Sequence, residues 1–297
     1  MVNPEFGGRR NSSIGRLATL VGAAFLSAGL VTQAETSRPD AHKHLYERSA
    51  EKEIVPLASP LPLEKTLVII IDDIGHHLAP GQAAIDLPGK LNIAILPYTP
   101  HAKILAERAH NSGKEILLHS PMSTIGSIPL GRGGLTTDLS EEEFRNTLVK
   151  SLEQIPHVRG INNHMGSDLT QRRLQMGWVM EELQERDLYF VDSRTSHETV
   201  AANTAEDYGV PNLSRQVFLD NERNSAAIAD KIRELLHLVD TKGTAVAIGH
   251  PYPETIRQLR EMLPLLKAKG IKLAYVSELF QPNTSNYSLT SIPESDI

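Results

Sequence analysis

The sequence predicts an α/β protein, a (β/α) barrel of about seven or eight parallel strands, and three observations predict it. Strand and helix signals alternate with hardly a break over roughly 215 residues, from Lys65 to Phe280. The strand candidates are short, nearly continuous aliphatic runs, the form of strands buried on both faces of a parallel sheet. The segments between several of them carry apolar stripes at helical spacing, which read as core faces.

The first strand is Leu67-Val68-Ile69-Ile70-Ile71, and it stops abruptly at Asp72-Asp73-Ile74-Gly75. Further strands are expected at Asn92–Leu96, Glu115–His119, Gly160–His164, Leu188–Val191, Gln216–Leu219, Thr244–Ile248 and Ile271–Val276. Ser140-Glu141-Glu142-Glu143 is a capping box, followed by Phe144, Leu148 and Leu152 on one helix face. Met176, Val179, Met180 and Leu183 form a second stripe, with Trp178 read as packing. Ile228, Ile232, Leu235, Leu236 and Val239 form a third, and Ile256, Leu259 and Leu263 a fourth. No internal repeat or heptad run is present.

Composition narrows the function classes. An apolar fraction of 40% against 22% charged residues supports a sizeable core. A net charge of −6 argues against a nucleic-acid partner, because phosphate binding needs clustered Lys and Arg. No cysteine is present, which removes thiolate metal sites and Cys nucleophiles. Arg9, Arg10 and Arg16 precede the 15-residue uncharged run Leu17–Val31, and small residues continue to Ala34. Residues 1–34 therefore read as a secretory signal, since a membrane span needs roughly 20 apolar residues. The expected location is periplasmic or secreted, with an uncleaved signal anchor as the single membrane contact left open. Residues 35–64 read as a linker or irregular arm, 65–280 as the barrel domain, and 281–297, rich in Ser, Asn, Thr and Pro, as a disordered tail. Nothing here specifies an oligomeric state.

In parallel α/β architectures, chemistry gathers at the C-terminal ends of the strands. Five strand candidates end in acid/base or metal-ligand residues: Asp72-Asp73, His119, His164, Asp192-Ser193-Arg194 and His250. Taken singly, a His at a strand end is more often structural, and an acid pair is as readily a capped turn. Five such positions on one rim point to a shared site. One carboxylate with two imidazoles is a common way to hold zinc while leaving a position open for water. A second carboxylate would take a proton from that water and a further His would protonate a leaving group. Asp72, Asp73, His119, His164 and His250 supply every part of such a hydrolase. The remaining histidines read as solvated, with His76 set apart by its place beside the acid pair. Gly131-Arg132-Gly133-Gly134 lacks the Gly-Lys-Ser/Thr ending of a phosphate loop and reads as a rim loop.

At these residues the chain resembles the divergent polysaccharide deacetylases of the NodB-homology carbohydrate esterase superfamily. The resemblance runs from about Leu67 to Phe280 and is carried by Ile71-Asp72-Asp73-Ile74-Gly75, Leu117-Leu118-His119-Ser120-Pro121-Met122, Gly160-Ile161-Asn162-Asn163-His164-Met165-Gly166-Ser167, Phe190-Val191-Asp192-Ser193 and Ile248-Gly249-His250-Pro251. It implies a deformed (β/α) barrel and a divalent metal, with zinc expected. It also implies removal of acetyl groups from an N-acetylated carbohydrate polymer. Asp72 then resembles the general base, Asp73 the first metal ligand, and His119 the first His of a His-x-x-x-His metal motif. Ser123 stands where that motif places its second His, and His164 is the replacement expected from its strand-end position. His250 resembles the general acid. Asp192 is expected to orient His250, and Arg194 to orient Asp72. Two alternatives stay open: a glycan-binding or scaffold protein that keeps the barrel without chemistry, and a metal hydrolase of another bond. With 5% aromatic residues, no sugar platform stands out and substrate-binding residues are not named.

Overall fold

In the computed structural model, which describes residues 64–280, β1 (Lys65–Ile74) lies at the centre of a single parallel sheet. It pairs with β8 (Thr244–Gly249) along one edge and with β2 (Asn92–Ile95) and β9 (Ile271–Ala274) along the other. The sheet continues from β2 through β3 (Glu115–Met122), β4 (Val158–Met165) and β5 (Tyr189–Asp192) to β6 (Asn212–Ser214), while β8 pairs with β7 (Val217–Phe218). All of these ladders are parallel. The two ends of this path meet in one stretch of chain. Only Arg215 and Gln216 separate β6 from β7, and their N–H groups donate to Asp192 O and Val246 O on the two flanking strands. One broken strand therefore closes the curl, which makes the fold a deformed (β/α) barrel.

Each of the eight expected strands is present. The ninth, Asn212–Ser214, is three half-buried residues with no alternation, too short for a periodic signal. Within β1, Val68 and Ile70 point into the barrel with Leu117, Val191, Val246 and Ile248. Leu67, Ile69 and Ile71 point outward to the helices, against residues such as Leu105 and Phe144. This two-residue period places core on both faces of the sheet. Gly160 stands inside the barrel because any Cβ there would lie 2.2 Å from the Tyr189 ring.

The N-terminal mouth of the barrel is plugged. Asn92 donates to Ile69 O and accepts from Val276 N. Glu115 accepts from the Tyr189 hydroxyl and from Ser277 N. These bonds seat the 3-10 turn Ser277–Phe280 under the strands. Reactive groups are left with the opposite, C-terminal rim.

Seven helices pack around the barrel among the described residues: α1 (Leu78–Ile85), α2 (Ala102–Asn111), α3 (Glu141–Gln154), α4 (Arg173–Gln184), α5 (Ala201–Asp207), α6 (Ser225–Lys242) and α7 (Pro253–Met262). None is long and apolar enough to cross a membrane. Trp178 packs edge-on to Phe144, with ring centroids 5.4 Å apart, joining α4 to α3. The capping box forms in full: Ser140 Oγ accepts from Glu143 N, and the Glu143 carboxylate accepts from Ser140 N. Ser140→Ala is expected to destabilise the fold by about 1 kcal/mol, read as a lower urea midpoint at unchanged slope. The expected signal, the arm up to residue 63 and the expected tail lie outside the described residues.

Candidate active site

The site begins with a backbone irregularity. Adjacent residues of a strand ordinarily face opposite sides of a sheet, so Asp72 and Asp73 should not share a pocket. The β1–β2 register shifts between Ile71 and Ile74, and Asp73 takes a left-handed φ of 58°. This bulge re-aims the pair. Asp72 Oδ2 and Asp73 Oδ1 come within 3.6 and 3.2 Å of one nitrogen, His119 Nε2. Gly75, at φ 134°, completes the turn where a Cβ would lie 2.0 Å from Thr99 Oγ1.

Three donor atoms converge beside the bulge. Asp73 Oδ1 lies 2.9 Å from His164 Nδ1 and 3.2 Å from His119 Nε2, and the two nitrogens are 3.1 Å apart. Tetrahedral sites with bonds of about 2.0–2.2 Å space their donor atoms roughly 3.3 Å apart. Asp73 Oδ1 is buried and no donor is aligned to hydrogen-bond it, although both imidazoles are near. A buried carboxylate oxygen without a donor is costly, and a cation among these three atoms would compensate it. Asp73, His119 and His164 therefore fit a divalent metal.

The surrounding residues set the orientation of these ligands. His119 pairs with Asn162 across the β3–β4 ladder, and Pro121 with His164, so the two imidazoles rise from adjacent strands. Asn162 Nδ2 donates to Asp72 Oδ1 at 2.8 Å, which turns its amide oxygen to His119 Nδ1 at 2.9 Å. His119 Nδ1 must then carry the proton, leaving the Nε2 lone pair for the centre. Asn163 faces the other side, accepting from Ser193 N and donating to Met165 O. It fixes the left-handed Met165-Gly166 turn that ends β4.

Burial shapes the charges. Asp72 and His119 are each 2% exposed. Burial lifts Asp72 above the ordinary carboxylate range, against the pull of His119 and His250. Burial also works against the charge on Asp73, but the imidazoles of His119 and His164 outweigh it and hold that carboxyl below its usual range. His119 is pushed down by burial and lifted further by Asp72 and Asp73, so its net shift is upward.

Two expected positioning roles are corrected. His250 is held by Asp220, not Asp192: its Nδ1 lies 2.9 Å from Asp220 Oδ1, and its backbone N donates to Asp220 Oδ2. Thr255 Oγ1 donates to the same Oδ2 at 2.7 Å. Burial would lower the His250 pKa, but the hydrogen bond and charge of Asp220 raise it overall. Its Nε2 faces Asp73 Oδ2 at 3.6 Å. Asp192 instead accepts from Arg194 N and Thr199 Oγ1, closing the turn after β5. Nor does Arg194 orient Asp72, whose donor is Asn162. Arg194 is exposed in a left-handed conformation and offers its carbonyl to Arg215. Asp220 carried the strand-end signal, since it follows Gln216–Leu219 directly, and sequence reasoning passed over it. Asn162 lies inside the Gly160–Ser167 motif, and no local pattern marks its role.

Ser123 is engaged elsewhere. Its Oγ donates to Asp168 Oδ2 at 3.0 Å, and its carbonyl accepts from the N–H groups of Asp168 and Leu169. That position stitches the loop after β4 to the end of β3. His76 and His77 are exposed. The Gly131–Gly134 loop lays Arg132 over the Tyr98 ring, 4.3 Å from guanidinium carbon to ring centroid.

A carboxylate and two imidazoles converging at the C-terminal rim of a deformed (β/α) barrel define an α/β-barrel protein with a candidate three-residue metal site. The sequence comparison agrees on the family: the divergent polysaccharide deacetylase profile matches residues 69–280, and the chain belongs to that family. It is 36% identical over 244 residues to the uncharacterized protein YibQ of Escherichia coli (strain K12), covering 81% of this chain and 76% of that one. An uncharacterized protein of Haemophilus influenzae is 34% identical over 197 residues, covering 66% of this chain and 70% of that protein. The crystal structure of the uncharacterized protein ATU2773 from Agrobacterium tumefaciens C58 superposes with a TM-score of 0.69 at 23% identity. That match covers 73% of this chain and 89% of the other, and it establishes the shared fold.

Proposed function

We propose that this protein is a zinc-dependent deacetylase that removes N-acetyl groups from an envelope or secreted glycan. The observation that carries the reading is the convergence of Asp73 Oδ1, His119 Nε2 and His164 Nδ1 within 2.9–3.2 Å of one another, with Asp72 and His250 beside them. A divalent ion held by these three residues would supply Lewis acidity, polarising the acetyl carbonyl and acidifying water. Asp72, buried and pinned by Asn162, is placed to take the proton of the attacking water. His250 keeps its Nδ1 proton on Asp220 and presents Nε2 to the pocket, where it donates a proton to the departing amine as the C–N bond breaks. The products are acetate and a free amino sugar. In the same reading the protein is exported, which the Arg-flanked run Leu17–Val31 supports.

The test pairs metal analysis with acetate release from chito-oligosaccharides. Roughly one zinc per chain and zinc-dependent acetate release are expected. A protein that takes up no zinc and releases no acetate when zinc is added is a scaffold on this barrel. Zinc uptake with no acetate release from chito-oligosaccharides or from an acidic N-acetylated oligomer overturns the deacetylase reading and leaves a metal hydrolase of another bond or a metal-holding scaffold.

A further inference from the structure

The proposed acid sits between two tilted aromatic rings, each of which carries a guanidinium group. Phe218 and Tyr252 flank the His250 ring, each with centroids 5.2 Å away. Arg215 lies over Phe218 at 4.9 Å and Arg223 over Tyr252 at 3.9 Å. The order is Arg215, Phe218, His250, Tyr252, Arg223. The chain thus sets two positive charges, each one ring removed from the group that would meet the leaving amine.

Neither guanidinium is neutralised by a carboxylate within ion-pair reach among the described residues. Arg215 donates to the carbonyls of Ser193 and Arg194, and Arg223 donates to the Tyr252 hydroxyl. The nearby acids are committed: Asp192 to Arg194 N and Thr199, and Asp220 to His250 and Thr255. Four arginines of the helix layer are paired instead, although Arg132 also lies over an aromatic ring, that of Tyr98. Arg145, Arg172, Arg173 and Arg186 each pair with Asp or Glu on the helix layer. In a chain of net charge −6, two arginines with no carboxylate partner beside one rim histidine leave positive charge available there. Arg223 keeps in-plane N–H donors for a planar anion, and carboxylate is the match for that fork, whereas Arg215 commits its Nε edge to the Ser193 and Arg194 carbonyls and contributes charge.

Resting on the deacetylase reading for the identity of the polymer, we infer that the glycan bound here is acidic, with a carboxylate-bearing sugar next to the acetylated residue. Arg215 and Arg223 are its charge-reading residues.

The test uses an oligosaccharide alternating glucuronate with N-acetylglucosamine, against a neutral N-acetylglucosamine oligomer of equal length. Equilibrium binding to the zinc-loaded protein is measured by calorimetry at low and high salt, and acetate release is followed in parallel. The uronate oligomer is expected to bind about tenfold tighter at low salt, with that preference shrinking as salt rises. Arg223→Gln and Arg215→Gln are each expected to cut the preference by about threefold to tenfold. Arg223 is exposed and tests the inference without disturbing the turn that Arg215 ties down. Equal affinity for the two oligomers, or a preference indifferent to both substitutions, overturns the inference. Charge-selective binding without acetate release retains the acidic ligand and removes the deacetylase reading alone.

Discussion

Asp73→Ala is expected to abolish zinc retention and to lower kcat on the order of a thousandfold or more, since it removes the only carboxylate among the three converging donors. Two imidazoles 3.1 Å apart would remain, with no negative charge between them to offset a dication. Asp73 occupies a left-handed conformation, which alanine tolerates poorly, so Asp73→Asn is the matched control. Asparagine adopts that conformation and keeps the side-chain shape while losing the charge. Both variants should lose metal by elemental analysis while unfolding cooperatively. An Asp73→Asn protein with full zinc content and wild-type acetate release would sink the assignment of this residue as a ligand.

Asp220→Asn is expected to lower kcat about a hundredfold, near the low end for losing a general acid, while zinc content stays the same. Its pH signature is more specific. Asp220 holds His250 protonated to higher pH than usual, against the opposing pull of burial. In the proposed mechanism the protonated His250 that serves as acid is present below that raised pKa and is lost as pH rises through it. Without the Asp220 charge, burial has more weight and His250 deprotonates earlier. Asp73 and Asp72 still face the ring and limit the fall, and Tyr252 stacks beside it. The alkaline limb of kcat/KM should therefore move to lower pH. Asp192→Asn, by contrast, should leave that limb in place, because Asp192 closes a turn and does not touch His250. A limb that moves with Asp192 and not with Asp220 would reverse the pairing.

The strands were legible because each is an aliphatic run bounded by turn residues, and their parallel arrangement followed from the helices between them. That arrangement alone brings Asp72-Asp73, His119, His164 and His250 to one rim, since every strand presents the same end there. The partners of those residues were not legible. Asn162 reaches His119 through cross-strand register, which no local pattern records. Asp192 and Asp220 both follow short strands and look alike in sequence. They differ because Asp220 lies beside the end of β8, where His250 begins its loop, while Asp192 turns back on its own loop. The short β6 was invisible because three residues carry no period.

By itself the sequence determined the family, the barrel and the residue types that meet at its rim, because burial periodicity and strand-end chemistry are properties of neighbouring residues. The tertiary structure decided which atoms face each other. A bulge with a left-handed Asp73 brought two adjacent carboxylates into one pocket against the alternation of a regular strand. An amide on the neighbouring strand chose the tautomer of His119. Both depend on contacts between segments far apart in the chain, and so on packing that no local window of residues contains.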